Sequence, residues 1–165
     1  MNILDLAKAH IVGGSRSWTL SSILLAAAGA TLVIAGLYFL LVRPPLLPED
    51  VRYMALPAAQ FEFLKPRLEL WLAHVFQVMG GYVLATGVLT ITLAATSFCA
   101  HHWGAALGAL IGGAASIGWM AVVNFVINSD FKWVLLGMAM LWACSLVVFW
   151  FEKNSKFSAA HSASD

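Results

Sequence analysis

Between Glu69 and Asp130 the chain contains no aspartate, glutamate, lysine or arginine. Charge is scarce throughout: charged residues make up 10% of the 165, where soluble domains carry roughly a quarter. A surface that poor in charge cannot face water, which excludes an ordinary soluble domain. The formal net charge of +1 leaves no basic stripe for nucleic acid or another polyanion. Cysteine is nearly absent as well, and Cys99 and Cys144 do not make a disulfide framework. Also missing are paired carboxylates inside an apolar run, a Ser/His/Asp arrangement, a CxxC pair and a phosphate-cradling glycine loop. The first sixteen residues mix polar and apolar types, so no cleavable signal peptide is expected there.

What the chain does have is apolar length. It is 61% hydrophobic, with a mean hydropathy of +0.86. Four apolar runs cover 17–42, 70–98, 103–128 and 133–151, and about 20 such residues suffice to cross a bilayer. They predict an all-α integral membrane protein, a bundle of four transmembrane helices over 17–151. Residues 1–16 read as an N-terminal interfacial segment and 152–165 as a polar, disordered tail. The prolines gather in the first loop, 43–69, where Pro48-Glu49-Asp50 predicts the start of a short interfacial helix. Trp18, Trp71, Trp103, Trp133 and Trp150 stand at run ends as interfacial anchors. An even number of spans puts both termini on one side. The long loop is charge-balanced and can be translocated, so the termini are expected on the cytoplasmic side of a bacterial inner membrane.

The third run carries the most organisation. Gly104, Gly108, Gly112 and Ser116 recur every four residues, and Asn124 and Asn128 continue the spacing. Such a row offers a groove to a neighbouring backbone, inside the protomer or between protomers. Ser22, Ala26 and Ala30 give the first run a small-residue face of its own. Asparagine is costly in lipid unless it meets a partner.

Topology suggests which polar residues meet. The second run begins on the loop side and the third ends there, so His74 and Gln77 share a depth with Asn124 and Asn128. Each pair lies on one helix face. The four are expected to converge below the first loop, with Trp71, Trp119, Glu69 and Asp130 nearby. His74 is the only histidine within a run. One histidine cannot build a closed zinc site, which takes about four ligands. It can supply one axial ligand to haem iron, or simply bond to Asn124, Asn128 or a loop carbonyl. His101 and His102 read as solvated turn residues. Trp119 lies deeper than the five anchor tryptophans and can line a pocket.

The second and third runs resemble the styrene oxide isomerase family of small four-helix membrane proteins. The residues that carry the likeness are Trp71-Leu72-Ala73-His74, followed by Gly80-Gly81, and the run Ala115 to Asn124-Phe125. The resemblance implies a haem b held between protomers of a trimer, with ferric iron acting as Lewis acid on an epoxide to give an aldehyde. It makes His74 the metal ligand, with Gly81 and Asn128 beside the cofactor. Two catalytic positions of the family, an asparagine and a tyrosine, fall near Gly80 and Met120 here. Gln77, Asn124 and Trp119 are then left to act as distal catalytic groups. The expected partners are the lipid bilayer, a small apolar ligand and further copies of the chain. The alternative is a non-enzymatic accessory or scaffold subunit of a membrane complex, packing through its glycine-rich third span.

Overall fold

The computed structural model describes residues 18–162, with side chains to Ser155. The N-terminal segment, 1–16, lies outside the described residues. Helix α1 is Leu20–Leu41, α2 is Pro48–Met54, α3 is Ala58–Phe98, α4 is Trp103–Val126 and α5 is Lys132–Ser162. Among the described residues, α1, α3, α4 and α5 are long and apolar enough to cross a membrane. The fold is all-helical, with the short α2 in the loop after α1.

Local chemistry sets the helix ends. Thr19 and Ser22 form a reciprocal capping box at the start of α1. Arg43-Pro44-Pro45 follows its end, where proline can continue no helix. Pro48 stands in the first turn of α2, and the Asp50 carboxylate accepts the Leu47 N–H at 2.9 Å. Ala55, at φ 48°, turns the chain out of α2. Helix α3 starts after Pro57 and not at the membrane boundary near Leu70. Its 41 residues extend about 60 Å, roughly twice the hydrocarbon thickness.

In space the spans form the row α3–α1–α5–α4: α1 packs against α3 and α5, and α4 packs against α5. The core at their contacts includes Leu25, Leu32, Phe98, Ile117, Trp142 and Phe149. Lipid tails are as apolar as these side chains, so close packing rather than water exclusion must hold the row together. The closest backbone-to-backbone approach is α1 on α3. A Cβ on Gly36 would lie 2.5 Å from the Leu84 backbone nitrogen, and one on Gly87 would lie 2.7 Å from the Gly29 carbonyl. Gly29 and Gly36 on α1 face Gly80 and Gly87 on α3, each pair seven residues apart. That period keeps a small-residue seam on one side of a left-handed helix pair. Within the expected small face of α1, Ser22 is fully buried, Ala26 half-buried and Ala30 exposed.

Helix α4 uses Ala105, Ala109 and Gly113 against α5. Trp142 lies directly over Gly113 and donates its indole N–H to the Ala109 carbonyl at 2.9 Å. A π-helical turn closes α3 at Ala94–Phe98, and another interrupts α4 at Ala114–Gly118. In the second, Ser116 donates its hydroxyl to the Gly112 carbonyl.

Candidate functional site

Two polar clusters mark the two ends of the bundle. At the loop end, α2 closes over the turn between α4 and α5. Glu49 is buried and accepts the Ser129 hydroxyl at 3.4 Å. Arg43 pairs with Asp50 at 3.1 Å, and its guanidinium lies 3.4 Å from the centre of the Phe76 ring. Arg52 donates to the Asn128 carbonyl at 3.2 Å and reaches Asp130 at 3.4 Å.

The structure places the expected site residues apart from one another. His74 is exposed on α3, and its Nδ1 is 2.7 Å from the Leu70 carbonyl of its own helix. Gln77 is exposed and has no hydrogen-bond partner among the described residues. Asn124 donates to the Met120 carbonyl, also within its own helix, at 2.9 Å. Asn128, at φ 53°, belongs to the loop-end turn, with its side chain bonded to Lys132 and its carbonyl to Arg52. Trp119 is 64% exposed and faces outward. A Cβ on Gly81 would meet nothing within 4 Å. The physical reason is packing order: the glycine seam draws α3 onto α1, while α4 leans on α5. Each polar side chain in the two outer helices finds a carbonyl of its own helix or none at all.

The haem b reading is overturned. Among the described residues no three His, Cys, Asp or Glu side chains come together where they could hold a metal ion. Neither iron binding nor an isomerase site at His74 survives this. The roles of Gln77, Asn124, Trp119, Gly81 and Asn128 beside a haem depend on that group and are not carried forward.

The second cluster, at the end of the bundle where α1 begins, joins three elements that lie far apart in the sequence. Ser21, in the first turn of α1, gives its backbone N–H to Glu152 Oε1 at 3.2 Å and its hydroxyl to Oε2 at 2.6 Å. A carboxylate from α5 thus satisfies an orphan donor at an α1 terminus, where negative charge is also favoured. His101 Nε2 lies 3.2 Å from the same Oε2, and its Nδ1 lies 3.2 Å from the Cys99 carbonyl. The imidazole stacks on Phe149 at 5.1 Å, and Lys153 donates to the His101 carbonyl at 3.1 Å. The carboxylate sits between serine and histidine, so His101 does not touch the serine hydroxyl and this is no nucleophilic triad.

His101 is therefore a half-buried network residue and not a solvated one. Glu152 reads in sequence as the first residue of a polar tail. The signal available was positional: the start of the first span, the turn between the second and third, and the end of the fourth share one membrane end.

Four apolar helices, lipid-facing hydrophobic side chains and polar clusters confined to the two ends define a multi-spanning, all-α integral membrane protein. The chain matches no protein-family model, and comparison with curated proteins and with solved structures found no match. The resemblance to styrene oxide isomerase gains no support from these comparisons.

Proposed function

We propose that this protein acts in the membrane by assembly, docking the bare face of α4 against the same face of a second copy. One observation supports the reading. A Cβ on Gly104, Gly108 or Gly112 would meet nothing within 4 Å, whereas one on Gly29, Gly36, Gly80, Gly87 or Gly113 would fall within about 3 Å of a neighbouring helix. Five glycines in this chain mark close helix contacts; the four-residue row on α4 is the same device without a partner in the protomer. A symmetry-related copy presents an identical groove, so two such faces approach closely without any other chain. The same reading keeps both termini on the cytoplasmic side of a bacterial inner membrane, with the charge-balanced first loop translocated.

The test is the mass of the protein in lipid nanodiscs or native mass spectrometry, with Gly108→Leu and Gly112→Leu beside wild type. Wild type should exceed the 17.8 kDa of one chain, and both variants should fall towards monomer with unchanged thermal midpoint. A wild type that is monomeric across the concentration range overturns self-association. Capture of a different membrane protein through α4, lost in the same variants, would make the chain an accessory subunit instead.

A further inference from the structure

Both ring nitrogens of His101 face oxygen. Nδ1 points to the Cys99 carbonyl and Nε2 to Glu152 Oε2, each at 3.2 Å. A carbonyl oxygen can only accept, so Nδ1 carries a hydrogen. Glu152 already takes the Ser21 N–H on Oε1 and the Ser21 hydroxyl on Oε2, which favours its ionised form. With Glu152 ionised, Nε2 bonds to it only while Nε2 carries a hydrogen too. Moving that proton onto Glu152 changes nothing in the count. In either arrangement the bond between them needs one proton more than a neutral imidazole beside a carboxylate.

We infer that His101 and Glu152 form a protonation-dependent clasp, which ties the turn between α3 and α4 to α5 and to the start of α1. When the shared proton leaves, a nitrogen lone pair faces a carboxylate oxygen at contact distance. Two acceptors repel, and the ring turns out of its place over Phe149. His101 has a left-handed backbone, φ 58°, in the turn that leads into Trp103 and α4, so the ring's departure loosens the entry to that span.

The surrounding groups leave the pair in control of this event. From α5 come Glu152 itself and Lys153, whose Nζ holds the His101 carbonyl and lies 4.2 Å from the Trp103 ring centre. Within the turn are Cys99 and the exposed His102. From α1, among the described residues, come only the hydroxyls of Thr19 and Ser21, and from α4 the indole of Trp103. Lys153 keeps its bond to the backbone whatever the histidine does. The proton therefore controls the ring, the turn and the entry to α4. The clasp responds to pH on the side of the membrane where α1 begins.

Amide hydrogen exchange of the full-length protein in lipid nanodiscs tests this. Protection of 99–103 is compared at about pH 6 and about pH 8, after correction for intrinsic exchange. It should fall about tenfold at the higher pH, as expected for loss of a charge-assisted bond, while amides in the middle of α5 stay constant. In Glu152→Gln the side-chain amide can donate to an unprotonated Nε2 while its oxygen keeps the Ser21 N–H. The pH response of the turn should then vanish. Wild-type protection that does not differ between the two pH values overturns the clasp, and so does a Glu152→Gln response equal to wild type. His101→Asn is the second variant if Glu152→Gln does not fold: it too must abolish the response, and a retained response refutes the pair as its source.

Discussion

Glycine carries different meanings at different positions of this chain, and the difference is a matter of distances. At Gly36 a single added carbon would sit 2.5 Å from one backbone atom of α3 and 2.7 Å from another. Backbone cannot yield as the tip of a flexible side chain can. Gly36→Ala should therefore cost about 1–3 kcal/mol through overpacking, read as a lower unfolding midpoint in mild detergent. Gly81, next to the closely packed Gly80, meets nothing within 4 Å. Gly81→Ala should leave the midpoint unchanged or raise it, since alanine favours helix by up to about 1 kcal/mol. The two substitutions are chemically identical, so their opposite effects would isolate the seam as the cause. Sequence pairs Gly80 with Gly81 as neighbours; only the packing separates them.

Among the elements, the first loop is more helical than its composition suggests. Helix α3 projects from the membrane boundary through Ala58–Glu69, about 18 Å of helix with Pro66 inside it. Proline there brings no N–H for the carbonyl of Glu62, which weakens the projecting turns. Pro66→Ala should slow amide exchange across 58–69, by as much as about 3 kcal/mol of local stability. The short α2 is held differently, through Arg43. That side chain is only 8% exposed, with Asp50 on one side and the Phe76 ring on another. Arg43→Ala should release α2 from the bundle at a cost of about 2 kcal/mol, from the lost ion-pair bond and ring contact. Faster exchange in Pro48–Met54, with α1 and α3 still protected, would show it. Faster exchange throughout would mean that Arg43 supports the spans themselves.

For the whole molecule, the order of the helices decides what the polar residues can do. In a ring of consecutive spans α3 would lie beside α4, and His74 and Gln77 would look across at Asn124. Here the α1–α3 seam and the Trp142–Gly113 contact set the row α3–α1–α5–α4, and these side chains stay apart. The outer position of α4 also leaves its glycine row bare, which is the basis for self-association. If that assembly forms, a double substitution at Gly108 and Gly112 should lower association more than either single change, with little effect on monomer stability.

What the sequence by itself determined is the solvent and the count of spans. Apolar runs without charge need lipid whatever they pack against, and the arrest by Arg43-Pro44-Pro45 and the Pro48-Glu49-Asp50 start are local chemistry. The short helix in the first loop was legible for the same reason. Tertiary structure alone decided which helix faces which. The seam depends on glycines that match across α1 and α3 at a seven-residue period, and no single segment displays that match. The Ser21–His101–Glu152 cluster was equally out of reach, because its members come from three elements far apart along the chain. Each looks ordinary in its own segment: a serine in a helix's first turn, a histidine in a turn, a glutamate after an apolar run. Hydrogen bonding between them is a property of the assembled end of the bundle, created when the helices pack.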